Sequence, residues 1–180
     1  MRKIVAVEFV SLDGVAEAPE DWTQPYFNEE QLEIAQAGMD SADAMLLGRR
    51  TYEDFASYWP QQPRDAPFAE WINNNHKYVV TTTRSSLEWG PSTVISTDVA
   101  AEVTKLKEQP GKNISLLGSP TLFRSLLREG LVDELSLFLI PMVVGKGKRL
   151  FEEPIGELPL ELADSRALST GVLSLTYRPA

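Results

Sequence analysis

The sequence predicts an α/β fold with a mostly parallel central sheet, helices on both faces and a C-terminal antiparallel hairpin. Three observations support this prediction. Short β-branched segments alternate with segments of helical period along the chain. Several apolar segments end at a glycine that is followed directly by a helix signal. The last two apolar segments are joined only by Ser-Thr-Gly at 169–171, which is typical of a hairpin.

The individual elements follow from local signals. A β-branched run over 4–10 predicts the first strand, which ends at a Ser-Leu-Asp-Gly turn at 11–14. Asn28 is the expected N-cap of a helix that reaches about Met39, with Gln31 at the capping-box position. The later predicted elements are strand 44–47, helix 51–57, a short helix through 71, strand 77–82, strand 94–96, helix 98–107, strand 113–117, a helix from about 119, strand 135–140, and hairpin strands 160–168 and 172–177.

Length and composition predict one domain over residues 1–180. The chain has 180 residues, of which 43% are hydrophobic, enough for a single core. No apolar run approaches the roughly 20 residues needed to cross a bilayer. The N-terminus has the pattern of a strand and not of a signal peptide, so we expect a cytoplasmic protein without membrane contact.

Several site chemistries are excluded by residue counts. The chain has no cysteine and one histidine, which excludes disulfides, thiolate nucleophiles and His- or Cys-based metal sites, so no metal is expected. The net charge of -9 argues against a nucleic-acid partner, because such binding needs a basic face. The places where the few basic residues cluster are therefore informative.

Two glycine turns are candidates for an anion site. Gly48 to Thr51 and Gly118 to Thr121 each join a predicted strand to a predicted helix. Backbone N–H groups at such helix starts bind phosphates in open α/β sheets, and the first turn adds two arginines. Either turn alone is equally compatible with a simply capped helix. Together, on one sheet, they favour an anion-binding rim.

Two further basic segments have open interpretations. Thr81 to Arg84 ends a predicted strand, where Arg84 is suited to a ribose phosphate or lies in a solvated loop. The segment 141–149 contains two glycines and three cations, and is either a substrate-phosphate loop or a solvated turn.

These segments carry a resemblance to a known family. Segment 47–53, Leu-Gly-Arg-Arg-Thr-Tyr-Glu, is similar to the cofactor-phosphate segment of dihydrofolate reductases. Segments 11–14, 131–135 and 141–147 resemble motifs of the C-terminal reductase domain of the bifunctional riboflavin-biosynthesis deaminase/reductase. The four motifs occur in the same order over nearly the whole chain. The chain therefore resembles a stand-alone version of that reductase domain.

The resemblance implies a dihydrofolate-reductase-like three-layer fold, NADPH as hydride donor and a homodimer. The activity implied is reduction of a C=N or C=O in a small heterocyclic or ribosylated substrate, as in 5-amino-6-(5-phosphoribosylamino)uracil reductase. The alternative is a non-catalytic dimeric nucleotide-binding or regulatory module on the same fold. The residues implied in cofactor binding are Gly48, Arg49, Arg50, Thr51, Thr82, Thr83, Arg84, Gly118, Ser119, Thr121 and Leu122.

The chain also departs from the dihydrofolate reductases. Their pterin-facing acid on the first helix corresponds to Leu32, so folate reduction is not expected. Asp13 is the first candidate for orienting the substrate or relaying a proton, and Glu33 is the second. Trp22 is predicted either to line the substrate pocket or to pack in the loop, and Lys146 is a candidate partner for a substrate phosphate.

Overall fold

The structure, a computed structural model, describes residues 1–152 and 156–180, and its central feature is an eight-stranded sheet. The strand order is β4-β3-β2-β5-β1-β6-β8-β7, and all pairings are parallel except those of β8 with β6 and β7. The strands are β1 (Ile4–Ser11), β2 (Ala42–Gly48), β3 (His76–Val80), β4 (Ser92–Ile95), β5 (Asn113–Leu117), β6 (Glu134–Ile140), β7 (Leu160–Ala167) and β8 (Leu173–Pro179).

Five α-helices among the described residues cover the two faces of this sheet and confirm the predicted alternation. They are α1 (Glu29–Asp40), α2 (Arg49–Tyr58), α3 (Ala69–Asn74), α4 (Val99–Glu108) and α5 (Pro120–Arg128). Short 3-10 helices lie at Pro19–Asp21, Gln24–Tyr26 and Trp59–Gln61. None of the described helices is long and apolar enough to cross a membrane.

Side-chain alternation along the strands separates the core into two layers. In β1, Ile4 and Ala6 face a cluster that includes Phe123 of α5 and Val103 of α4. Phe9, pointing to the opposite face, belongs to a second cluster near α1. A third cluster joins β2 and β3 to α2 and α3. The sheet is therefore the middle of three layers, with α4 and α5 on one side and α1, α2 and α3 on the other.

The N-terminus of α1 is held by the hairpin turn between β7 and β8. Asn28 caps the helix as predicted, because its Oδ1 accepts the Gln31 N–H at 3.1 Å. The Asn28 side chain also donates to Ser169, and the Glu30 carboxylate accepts from the Ser169 N–H. The predicted capping box is not completed, because the Gln31 amide is buried and has no hydrogen-bond partner among the described residues.

Most differences from the predicted boundaries are small. Helix α2 begins at Arg49, directly after Gly48, which is two residues earlier than predicted. Strand β3 ends at Val80, so Thr82 belongs to the following loop instead of the strand. The first difference shortens the turn between β2 and α2, whereas the second lengthens the loop after β3. Both lie at the carboxyl edge of the sheet, where the predicted site residues are found.

Candidate functional site

The two glycine turns singled out in the sequence meet at the carboxyl edge of the sheet. Strands β2 and β5 are parallel neighbours, so α2 and α5 begin side by side. The Gly48 N–H donates to Ser119 Oγ at 2.9 Å, and Ser119 Oγ lies 2.7 Å from Thr51 Oγ1. The Ser119 hydroxyl thus joins the two turns and accepts a hydrogen bond from the Gly48 N–H group of the first turn.

The second turn has an unusual backbone. Gly118 and the following Ser119 both have left-handed conformations, with φ of 56° and 57°. This path places Pro120 at the first position of α5, where its missing N–H costs no helical hydrogen bond. The first turn of α5 therefore begins close to the start of α2, where Ser119 contacts Gly48 and Thr51.

A carboxylate already binds two of the predicted phosphate-binding arginines. Glu53, one turn into α2, lies 3.1 Å from Arg49 Nη1 and 2.7 Å from Arg84 Nη2. The hydrogen bond from Arg84 is the largest contribution to the lowered pKa of Glu53. Arg50 is exposed. Three cations and one anion thus surround the start of α2.

A cavity of about 520 Å³ lies next to this charged group. It is bounded by the segment that follows β3 and by the end of β4. Its lining is mainly polar and comprises Thr82, Thr83, Arg84, Ser85, Val94 and Ser96. Hydroxyl groups and a guanidinium around a space of this size match the polar groups of a sugar phosphate.

Asp13 joins the turn after β1 to the loop after β6. Its Oδ1 accepts from Ser11 Oγ at 2.6 Å and from the Val144 N–H at 3.0 Å, and its Oδ2 accepts from the Gly145 N–H at 2.8 Å. These hydrogen bonds, that of Ser11 being the largest contribution, lower the pKa of Asp13 to about 2. Asp13 is therefore an ionised acceptor at neutral pH, which does not favour a role as proton donor.

The other candidates for catalysis and substrate binding lie apart from one another. Glu33 is exposed on α1, and Lys146 is exposed in the loop after β6. Trp22 packs in the cluster near α1, and its indole N–H donates to the Glu17 carbonyl at 3.1 Å, so packing is the interpretation that the structure favours. In the α5 turn, Thr121 is exposed, whereas the Leu122 side chain lies in the core and leaves only its backbone for a ligand.

The burial of two polar side chains, Glu8 and Gln31, is not among the features predicted from the sequence. Glu8 lies in the middle of β1, and burial raises its pKa to about 8 although Arg124 acts in the opposite direction. The sequence signal for a buried acid is the position of Glu8 inside the apolar run of 4–10. Gln31 is the one residue of α1 that is fully buried, and its amide is unpartnered among the residues that the structure describes. The capping-box pattern indicates Gln31 as a cap residue, but no sequence signal indicates that its side chain is buried.

Comparison with known proteins assigns the chain to a family. The sequence matches the RibD C-terminal domain over residues 2–174. The chain belongs to this family. Two curated relatives of this RibD C-terminal domain, the uncharacterized proteins YyaP and YwjB of Bacillus subtilis (strain 168), are 28% and 30% identical. The alignments cover 98% and 95% of the chain, and 94% and 95% of the respective relatives.

Solved structures confirm the dihydrofolate-reductase-like fold. A protein provisionally named for riboflavin biosynthesis, from Shewanella sp. PV-4, has a TM-score of 0.80 at 19% identity and 99% coverage of both chains. The Thermotoga maritima diaminohydroxyphosphoribosylaminopyrimidine deaminase/5-amino-6-(5-phosphoribosylamino)uracil reductase has a TM-score of 0.70 at 14% identity, covering 99% of this chain and 57% of that one. Dihydrofolate reductase from Enterococcus faecalis, complexed with NADP(H) and RAB-propyl, has a TM-score of 0.64 at 15% identity, with 98% and 96% coverage.

Proposed function

We propose that this protein is an NADPH-dependent reductase that transfers a hydride to a C=N or C=O group of a small heterocyclic or ribosylated substrate. The observation that carries the proposal is the junction of two phosphate-type turns beside a polar cavity that is lined by an arginine. Gly48 and Ser119 are hydrogen-bonded to each other, and Arg84 lines the cavity. The Thermotoga maritima enzyme has the same fold and is named as a deaminase/reductase, which supports the reaction class.

The residues present fit a phosphorylated dinucleotide. The first turns of α2 and α5 would hold the diphosphate through backbone N–H groups, aided by the partial positive charge of the two helix starts. Thr82, Thr83 and Arg84 would surround the ribose that carries the 2′-phosphate. The Enterococcus faecalis dihydrofolate reductase with the same fold was solved with NADP(H), which supports this cofactor.

The bound nicotinamide would supply the hydride, and the chain would bind, orient and shield it. The link between Asp13 and residues Val144 and Gly145 holds together the ends of β1 and β6. A fixed edge of this kind orients two reactants and lowers the entropic part of the barrier. The ionised Asp13 carboxylate would act here as a hydrogen-bond acceptor that orients the substrate.

A specific observation also favours the non-catalytic nucleotide-binding module as a second candidate. Neither of the two acids expected to take part in proton transfer is suited to donating a proton. Asp13 is ionised down to about pH 2. Glu33 is exposed on α1. A protein of this fold that binds the nucleotide without turnover would have these features.

The test is a titration of purified protein with NADPH and NADH, with Arg84→Met as the variant. Removing one charge-assisted contact should weaken the binding of NADPH by about tenfold and leave the binding of NADH unchanged. Arg64→Met is the matched control, because Arg64 is an exposed arginine that lines a different cavity of about 410 Å³ beside α3. Equal binding of the two nucleotides by the native protein would contradict the cofactor assignment.

Turnover separates the two candidate functions. NADPH oxidation is followed with a panel of pterins, quinones and ribosylaminouracils, using protein that binds NADPH. Oxidation with any of them supports the reductase. Tight binding without oxidation across the panel supports the nucleotide-binding module.

We also propose that the protein is a homodimer and has a cytoplasmic location. The edge strand β7 supports the former, because seven of its eight residues are exposed, including Leu162 at 54%. An exposed edge strand with apolar side chains is a surface that another chain can pair with.

A further inference from the structure

The carboxylate of Glu53 is placed between the two arginines that best suit a phosphate. Glu53 Oε1 accepts from Arg84 Nε at 2.7 Å, and Glu53 Oε2 accepts from Arg49 Nη1 at 3.1 Å. Arg49 lies at the start of α2, whereas Arg84 belongs to the segment after β3. One carboxylate therefore connects the first turn of α2 to the wall of the 520 Å³ cavity.

The contacts resemble those of a bound anion. Both guanidinium groups direct N–H donors to the same carboxylate, as they would to the oxygens of a phosphate monoester. A phosphate monoester carries a charge of about −1.5 to −2 at neutral pH, more than a carboxylate. The same donors would therefore bind the phosphate more strongly, once Glu53 has moved away.

The exposure of the three side chains permits this exchange. The side chains of Arg84, Arg49 and Glu53 are 50%, 39% and 30% exposed. Ion pairs with this much solvent contact are weak, so their rupture is a small obstacle. The displaced carboxylate remains near the phosphate, however, and repels it. A ribose 2′-hydroxyl, in contrast, can donate a hydrogen bond to a carboxylate.

We propose that Glu53 determines how strongly this protein distinguishes 2′-phosphorylated from 2′-hydroxyl dinucleotides, by occupying Arg49 and Arg84 until a 2′-phosphate replaces it. The inference rests on the proposed function, since it concerns the same nucleotide site. It predicts that Glu53 opposes NADP⁺ binding. A carboxylate that merely held the arginines in position for the phosphate would favour NADP⁺ binding, so the two roles differ in sign.

The experiment is calorimetric titration of NADP⁺ and NAD⁺ into the native protein, Glu53→Gln and Asp54→Asn. Asp54 is the matched control, since it is the next residue of α2, is exposed and forms no ion pair in the described part of the chain. Glu53→Gln should bind NADP⁺ about three- to tenfold more tightly and NAD⁺ equally or less tightly, because an exposed ion pair and a like-charge repulsion are removed. Asp54→Asn should change both affinities by less than about twofold, since its charge is screened by solvent.

A second variant guards against an effect on folding. Glu53→Asp keeps the charge but shortens the side chain, so it should release one arginine and give an intermediate ratio of NADP⁺ to NAD⁺ affinity. An unchanged ratio in Glu53→Gln, or weaker NADP⁺ binding, would overturn the inference while leaving the proposed function intact. If the native protein bound neither dinucleotide, the proposed function would fail and the inference with it.

Discussion

At the scale of single residues, the two glycines of the candidate site are required for different reasons. Gly48 has an ordinary φ of −76°, but a Cβ there would lie 2.5 Å from Ser119 Oγ. Gly118 has a φ of +56°, and a Cβ there would meet nothing closer than Thr51 atoms at 3.5 Å. The first glycine is therefore selected by space, and the second by its backbone conformation.

Gly118→Ala should consequently destabilise the protein even without a ligand. A left-handed conformation costs an alanine roughly 1–2 kcal/mol, which thermal or urea unfolding would detect. The variant should also weaken NADPH by at least about tenfold, if the diphosphate approaches this turn as proposed. The two effects are measured separately, by unfolding without nucleotide and by titration.

Gly130→Ala is the matched control for the backbone contribution. Gly130 has a φ of +67° after the end of α5, and a Cβ added there would meet no atom of the described chain within 4 Å. We expect the same loss of stability as in Gly118→Ala, with NADPH binding unchanged. A stable Gly118→Ala protein with native affinity would remove this turn from the cofactor site.

At the scale of elements, the carboxyl edge of the sheet depends on loops that bind each other. The turn after β1 and the loop after β6 are joined by Asp13, and a backbone bond from the Leu12 N–H to the Met142 carbonyl adds to this link. Arg149 Nε also donates to the Asp13 carbonyl at 2.9 Å. Segments 11–14 and 141–147, two of the motifs that resemble the family, thus form one structural unit.

Asp13→Asn should loosen this unit without changing the sheet. An amide offers one acceptor oxygen where the carboxylate offers two, and its NH₂ group would face a backbone N–H. Hydrogen exchange at Val144 and Gly145, measured by NMR, should become about tenfold faster or more, since charge-assisted bonds are lost. Asp21→Asn, in the exposed loop after β1, is the control and should leave both amides protected.

In the native protein, the protection of the Val144 and Gly145 amides from hydrogen exchange should also depend on pH. The pKa of Asp13 is lowered to about 2 from its ordinary 3.8, so its contribution is present above pH 3.8 and is lost as the pH falls towards 2. The exchange rates of the two amides, corrected for intrinsic exchange, should rise over this interval in the native protein alone. Equal pH profiles in the native protein and Asp13→Asn would contradict the assignment.

At the scale of the whole molecule, the sheet could be predicted from the sequence more fully than the site. Strand β5 and the α1 cap follow from local signals, and both were predicted correctly. The contact between Glu53 and Arg84 joins residues 31 positions apart, and neither apolar period nor turn signals indicate such a pair. Sequence patterns report local conformation, whereas the charges of a site are brought together only by tertiary packing.

The buried Glu8 makes the stability of the whole molecule depend on pH. Its pKa is about 8 in the folded protein and 4.5 in an ordinary exposed position, so the folded state keeps a proton that the unfolded chain releases. Folding therefore takes up a proton between these values, and the free energy of unfolding should fall as the pH rises, by up to about 1.4 kcal/mol per pH unit. Above pH 8 the opposite trend is expected from Lys77, whose pKa is lowered by burial from 10.5 to about 8.

Urea unfolding of the native protein and Glu8→Gln between pH 5 and 8 measures this contribution. A glutamine cannot titrate, so the free energy of unfolding of Glu8→Gln should lack the decline with rising pH that Glu8 gives to the native protein. This holds whatever the absolute stability of the variant. Glu33→Gln is the control, because Glu33 is exposed on α1 and should leave the decline unchanged. Parallel curves for the native protein and Glu8→Gln would mean that Glu8 ionises at its ordinary pKa. In that case, Arg124 or water would have to stabilise the buried carboxylate more than burial destabilises it.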